Sequence, residues 1–456
     1  MFKRKIEKEL ELWKKSLYIK RKAFVLKGLR QVGKTKSITE FAQKNYEHVV
    51  YINFKLEANL KMAFNGDLSV DTLVSNISVL KPDAIFIPHK TVLILDEIQE
   101  CSGARAAIKS FVENDDRFDV IASGSLLGIK GYNRKYHGGS SVGYEHTVYM
   151  KSMDFEEFLW AKGIKEDVID YLKKCFSSGK QVRQPIHDAM NRYFREYLCV
   201  GGMPAVVNVF IETGDMNQVR IEQLDILEGY KDDYGKHLDE FENEKTDVPL
   251  LTKINKVLNS IPAQLSKENK KFMYSQIEKK ATSAKYDPAI QWLVDYGLVN
   301  YCYNLRLLEP PLSGNKIDGC FKIFVSDTGL FVAMLDKEVR SDILLGNLGQ
   351  YKGAIYENIV ADAFLKMGKD LYYFSKDSGL EIDFVTRYQK EITLIEVKAT
   401  TGNAKSSKTI LENKDKYPMV KKMFKLSEQN VGIIEDSCGN IKITIPHYLV
   451  FCLNDG

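Results

Sequence analysis

The residues best suited to chemistry in this 456-residue chain begin with Gly28, Leu29, Arg30, Gln31, Val32, Gly33, Lys34 and Thr35. They fit the pattern G-x-x-x-x-G-K-[ST] in full. Two glycines at that spacing let the backbone wrap closely around an anion, so successive N–H groups point inward at negative charge. A helix starting at the lysine adds the positive end of its dipole. Lys34 then reaches the β- and γ-phosphates of a nucleotide, and the Thr35 hydroxyl is placed to ligate Mg²⁺. The expected ligand is ATP with Mg²⁺.

Downstream, Thr91-Val-Leu-Ile-Leu95 is an apolar strand that ends in Asp96 and Glu97. A strand of this kind carries Asp96 to the rim of a sheet, where it can hold the Mg²⁺ shell together with Thr35. Glu97 follows where it can polarise the attacking water as a general base. The same pair also suits the start of a helix, because Asp and Glu are favoured there. A further strand ends in Ser123-Gly124-Ser125, whose hydroxyls could meet the γ-phosphate or the lytic water, although Ser-Gly-Ser is also ordinary turn chemistry. Glu97, Lys34 and Ser123 are thus the candidate catalytic residues, and Thr35 and Asp96 the candidate metal ligands.

A second group lies near the C-terminal end: Glu357 in a helical stretch, Glu381-Ile-Asp383 in one strand, and Ile395-Glu396-Val397-Lys398 in the next. Alternation predicts Glu396 and Lys398 on one face and Ile395 and Val397 buried on the other. Asp383 and Glu396 on neighbouring strands could share a divalent cation, and Lys398 could steady a nucleophilic water. Taken alone, Glu-Val-Lys is also the ordinary edge of a half-exposed strand.

The motifs G-L-R-Q-V-G-K-T, L-D-E-I-Q-E, S-G-S-L-L-G, V-G-Y-E, the run from Asp154 to Trp160 and G-G-M-P-A-V-V (201–207) together resemble prokaryotic AAA-type ATPases with a C-terminal domain of restriction-endonuclease-like fold. The D-x₁₂-E-x-K arrangement of Asp383, Glu396 and Lys398, with Glu357 as the helical acid, is similar to that endonuclease-like superfamily. The resemblance implies an AAA core, a helical region, a winged-helix segment and the endonuclease-like α/β domain. Many AAA relatives stabilise transition-state charge with an arginine from a neighbouring subunit; Arg105, Arg117 and Arg134 are candidates by location.

These residues need elements to hold them. Short apolar runs at Ala23–Lys27, Val49–Phe54, Val92–Leu95, Val120–Ser123 and Thr147–Met150 read as strands buried on both faces, hence a parallel sheet covered by helices. Helical periodicity follows from Asp154 to Lys236, broken at Gly201-Gly202-Met203-Pro204. The acidic stretch 238–245 reads as a linker. Residues 271–284 and 286–296, a glycine turn and a strand suggest a winged helix-turn-helix, but Lys285, Asp287 and Gln291 make a poor phosphate footprint. A helix over Ala354–Met367 opens a strand-rich end. The expected organisation is an α/β chain with an ATPase domain over 1–160, a helical region over 161–245, a winged-helix-like domain over 246–340 and the endonuclease-like domain over 341–456.

Composition narrows the partners. A 44% hydrophobic and 28% charged chain is globular, and a net charge of +4 gives no global basic field. DNA or RNA, if bound, must meet a local patch, for which Lys405, Lys408, Lys414 and Lys416 are the best group; a solvated helix face is the plainer reading. A protein client is the other partner class. Seven scattered cysteines without a C-x-x-C pair point to reduced thiols and a cytoplasmic location. The seven histidines show no ligand spacing, and no apolar run is long enough to cross a membrane.

Overall fold

The computed structural model describes residues 2–125, 143–238, 250–347, 349, 351–399, 404–435 and 439–454. Arg134, Leu126-Leu-Gly128 and the acidic residues 239–245 lie outside the described residues. The chain forms two compact units, Met1–Ser152 and Met153–Gly456.

The first unit runs α1 (Ile6–Ser16), β1 (Ala23–Lys27), α2 (Lys34–Asn45), β2 (His48–Asn53), α3 (Val70–Leu80), β3 (Thr91–Asp96), α4 (Ser102–Glu113), β4 (Asp119–Gly124) and β5 (Glu145–Tyr149). The strands form one parallel sheet in the order β2-β3-β4-β1-β5. Parallel strands need crossovers, and the helices that supply them cover both faces. That is why β3 is buried at every position. On α2, Ile38, Phe41 and Ala42 face inward at helical spacing. Trp13 of α1 packs against Phe24 of β1 with ring centroids 5.5 Å apart and against Phe41 at 6.4 Å. Each such buried aromatic contributes roughly 1.5–3 kcal/mol.

The second unit starts with five helices: α5 (Phe155–Ala161), α6 (Glu166–Ser178), α7 (Gln184–Val200), α8 (Pro204–Thr213) and α9 (Met216–Leu238). Asp154 begins α5 with a complete capping box, its side chain and that of Glu157 each accepting the other's backbone N–H. Residues 153–160 fall in this compact unit, with Phe155 and Phe158 against Tyr197 of α7 at ring-centroid distances of 5.5 and 5.2 Å. The break at Gly201–Pro204 is a tight contact: a Cβ on Gly202 would stand 1.9 Å from the Met153 carbonyl oxygen.

There follow α10 (Leu250–Leu265), α11 (Ser283–Tyr296), β6 (Val299–Leu305), β7 (Lys316–Val325), α12 (Thr328–Ala333), α13 (Val339–Leu345), α14 (Lys352–Lys366), β8 (Leu371–Ser375), β9 (Glu381–Tyr388), β10 (Glu391–Val397), α15 (Lys405–Glu412), β11 (Val420–Ser427), β12 (Gly432–Glu435) and β13 (Ile441–Pro446). Their eight strands make one mixed sheet, ordered β12-β13-β11-β10-β9-β8-β6-β7. The division expected at 340 therefore falls between strands that share a sheet: β6 pairs with β7 on one side and with β8 on the other.

Two local expectations change. Residues 271–284 are not one helix. Phe272 N–H donates to the Phe321 carbonyl at 2.8 Å beside β7, a short 3₁₀ turn spans Tyr274–Gln276, and Lys280 takes a positive φ of 65°. Nor is β10 buried on one face only. It lies between β9 and β11, with α14 against it, so Glu396 is 2% exposed and Ile395 0%.

Candidate functional site

The loop between β1 and α2 holds the residues expected to cradle phosphate, and its shape depends on glycine. A Cβ on Gly28 would lie 2.3 Å from the Met150 carbonyl oxygen, and Gly33 has φ 96° where α2 begins. Lys34, 7% exposed, donates from Nζ to the Gly28 and Leu29 carbonyls, both at 2.9 Å. Burial pushes its pKa down to about 8, opposed by the carboxylates of Glu97 and Asp96 and assisted by the charge of Arg30. A buried ammonium turned onto loop carbonyls suits an anion-binding role, and the neighbouring oxygens of Thr35 and Asp96 form the hard donor set Mg²⁺ requires.

Asp96 is the meeting point of four elements. Its Oδ2 accepts hydrogen bonds from Thr35 Oγ1 at 2.9 Å, Tyr51 OH at 2.7 Å and Asn53 Nδ2 at 3.1 Å. Its Oδ1 accepts from the Glu97 backbone N–H at 3.1 Å and from the Ser123 hydroxyl. Strand register explains the convergence: Asn53 pairs with Asp96 across β2 and β3, and Tyr51, two residues back, shares its face. Burial and the bond to Asp96 hold the Tyr51 phenol well above its usual range. Ser123, read from sequence as a phosphate or water contact, here donates to Asp96. Its neighbour Ser125 accepts from Arg30 Nε at 3.4 Å.

Glu97 has a left-handed backbone with φ 52°, and its side chain makes no capping bond to the short 3₁₀ turn that follows. The helix-start reading therefore lacks its hydrogen bond. Its carboxylate instead accepts from Gln99 Nε2. Non-glycine residues held in this conformation concentrate at functional sites. Tyr51, Asn53 and Gln99 were missed by the motif; the available signal was polar residues in and just after the C-terminal ends of buried strands.

Glu357, Asp383, Glu396 and Lys398 also come together, with partners the sequence did not announce. Glu357 of α14 is ion-paired to Lys270 and, at 3.4 Å, to Lys322 of β7. Lys322, 1% exposed, also meets Glu381 at 3.0 Å. Lys398 stands 3.6 Å from Asp383 and 2.7 Å from Glu396. Asp383 also accepts from the Val397 N–H at 2.8 Å, and Glu396 from the Ser407 hydroxyl at 2.8 Å. Burial, with Glu357 and Glu396 nearby, pushes the Asp383 carboxyl up to about 7. Burial works the same way on Glu357, but Lys322 and Lys270 outweigh it and hold that carboxyl low. Among the described residues, no group of three or more His, Cys, Asp and Glu side chains is arranged to hold a metal ion. Lysine ammoniums stand against these carboxylates instead.

The remaining candidates are engaged elsewhere. Arg105 meets Glu145 at 3.5 Å, and Arg117, just ahead of β4, meets Asp71 at 2.7 Å. On and beside α11, Lys285 pairs with Glu278 at 2.5 Å, Asp287 accepts from Tyr274, and Gln291 donates to Asp295 at 2.8 Å. Lys408 meets Glu412 at 3.7 Å, and Lys414 donates to Asn440. Cys101, Cys175, Cys199, Cys302 and Cys320 are free thiols, and no helix among the described residues is long and apolar enough to cross a membrane.

Comparison with known proteins divides the chain into three segments. Residues 20–159 match the family model described as an AAA domain, 191–341 a domain of unknown function (DUF8612), and 352–448 another (DUF4143). No curated protein matches the chain. Among solved structures, a Walker-type ATPase of Pyrococcus abyssi is similar at 15% identity, over 73% of this chain and 96% of that one, with a TM-score of 0.39. The Aeropyrum pernix ORC2 protein in its ADPNP–ADP complexes is 12% identical over 75% and 93%, with a TM-score of 0.35. AMPPCP-bound DnaA from Aquifex aeolicus is 12% identical over 63% and 87%, with a TM-score of 0.28. With its five-stranded parallel sheet, its glycine-framed phosphate loop and its match over residues 20–159, the first unit is similar to the P-loop ATPase domains of the AAA type.

Proposed function

We propose that the chain binds ATP with Mg²⁺ at Gly28–Thr35 and hydrolyses it, as a conformational switch coupled to its C-terminal segment. One observation carries the reading: the hydroxyl of Thr35 and the carboxylate of Asp96, 61 residues apart in sequence, meet at 2.9 Å. Mg²⁺ would be held by Thr35 and Asp96 and would neutralise charge on the β- and γ-phosphates. Lys34 exchanges its loop carbonyls for phosphate oxygens. Glu97 takes a proton from water as the water oxygen bonds to the γ-phosphorus. The bond from that phosphorus to the β–γ bridging oxygen breaks, and its electron pair leaves with ADP. Free thiols agree with a cytoplasmic location.

Calorimetry and turnover test this directly. Lys34→Ala should lose ATP binding, and unchanged affinity in a folded variant would remove the assignment. Glu97→Gln keeps shape but loses the base, so ATP should still bind while kcat falls about 10²-fold or more. Asp96→Asn should alter the Mg²⁺ dependence. Wild-type turnover by Glu97→Gln would mean that another group orients the water.

Two readings of the C-terminal cluster each have an observation behind them. Nucleic-acid binding or cleavage by a restriction-endonuclease-like domain is supported by the proximity of Asp383, Glu396 and Lys398, with Glu357 alongside. An ATP-dependent protein-interaction module with a silent pocket is supported by Lys270, Lys322 and Lys398, which already pair with its carboxylates. Divalent-dependent cleavage of DNA or RNA favours the first; its absence on single-stranded, double-stranded and structured substrates favours the second.

A further inference from the structure

The phosphate loop contains a second cation besides Lys34. Arg30 leaves the loop after β1, and its Nε donates to Ser125 Oγ at 3.4 Å, where the chain leaves β4. β4 lies beside β1 on one side and beside β3, which ends in Asp96, on the other. Arg30 thus bridges the ends of two neighbouring strands on the rim that holds Thr35, Asp96 and Glu97. Ser125 is 9% exposed, so the anchor is itself a buried group. The guanidinium is also near enough to Lys34 for its charge to help lower the lysine pKa.

We propose that Arg30 is this chain's own transition-state cation, held by Ser125 and supplied in cis to the γ-phosphoryl group. The inference rests on the ATP-hydrolysis reading and adds where the neutralising charge comes from. Charge spreads over the equatorial oxygens during phosphoryl transfer, and an arginine against them contributes about 10³–10⁵ in kcat. Arginine suits the task better than lysine. A guanidinium presents its N–H donors as a planar fork that matches two phosphate oxygens. Arg30 forms or breaks no bond; its contribution is electrostatic and is realised as ADP separates from the transferring group.

The experiment uses the full chain with Arg30→Ala, Arg30→Lys and Ser125→Ala. Its readouts are kcat at saturating ATP, affinity for ADP, and affinity for ADP with aluminium fluoride as the transition-state mimic. Arg30→Ala should lose about 10²-fold or more in kcat. Its ADP affinity should stay within about threefold, the split expected of an interaction made only in the transition state. The added affinity for the fluoride complex should vanish with it. Arg30→Lys should recover only part of the rate, and Ser125→Ala should fall between wild type and Arg30→Ala. Wild-type turnover by Arg30→Ala overturns the proposal. So does equal loss of ADP affinity and kcat, which would make the residue a brace for the loop. Wild-type specific activity that climbs with protein concentration would assign the cation to a partner subunit. A wild-type chain without turnover sinks the ATPase reading itself, whereas an active wild type with an unaffected Arg30→Ala sinks this inference alone.

Discussion

Lys34 is a charged group kept in a place that disfavours charge, and this gives nucleotide binding a pH dependence. Without ligand its pKa is about 8, because burial costs the ammonium its hydration. Phosphate brings negative charge that draws the value back toward the ordinary lysine range near 10.4. ATP binding should therefore take up a proton at any pH between those two values. Affinity is full below pH 8 and falls as pH rises through it, by about tenfold per unit until the bound-state value is reached. Calorimetry from pH 7 to 9.5 in buffers of different ionisation heat measures both effects. A flat profile with no proton uptake would mean that Lys34 is not the binding cation. At this scale the motif residues were legible because their geometry is local: Gly28 to Thr35 are consecutive, and Asp96 and Glu97 end one strand. Tyr51 and Asn53 were not, because they reach Asp96 through the pairing of β2 with β3.

Strands and helices were readable to the extent that burial wrote a simple pattern. Four of the five strands of the first sheet stand out as short apolar runs, since crossover helices cover the sheet; β5, expected to be buried on both faces, is an edge strand that carries Glu145, His146 and Thr147 and is largely exposed. The alternation expected for β10 fails because a strand between two others and under α14 buries Glu396 as well as Ile395. Residues 271–284 were misread because the bond from Phe272 to the carbonyl of Phe321, and the stacking of their rings at 5.7 Å, are tertiary and leave no periodic trace. A lone lysine in the otherwise apolar strand Phe321–Val325 was the overlooked sign of the carboxylate cluster. Lys322→Met removes one partner of a buried ion pair, and such losses cost about 3–5 kcal/mol. Denaturant unfolding should show a clear drop in midpoint, and the double variant with Glu357→Gln should regain part of it. Equal midpoints for the single variant and wild type would mean that Lys270 alone neutralises Glu357.

Taken whole, the chain keeps its two candidate sites in separate compact units, which makes their chemistry separable by mutation. Asp383→Asn with Glu396→Gln should abolish any Mg²⁺- or Mn²⁺-dependent cleavage while leaving ATP turnover within about twofold of wild type, as for sites that share no partners. Cleavage that survives the double substitution would place the activity elsewhere. The change near Asp154 from strands to helices was legible because the pattern passes from short apolar runs to helical spacing. Which strands join which sheet was not, because pairing partners can be far apart in sequence.

The pairing of β6 with β8 bears on how this protein could have been inherited. The matches to the two families of unknown function abut between 341 and 352. Yet Cys302, Tyr303 and Asn304 hydrogen-bond in register with Leu371, Tyr372 and Tyr373 across that border. A gene segment beginning at 341 would encode β8 with one side unpaired, presenting Leu371-Tyr-Tyr-Phe374 as an apolar edge that invites other chains. Recombination at the border would thus trade a finished sheet for a sticky one. A cut at that border leaves β6 as well as β8 without its neighbour.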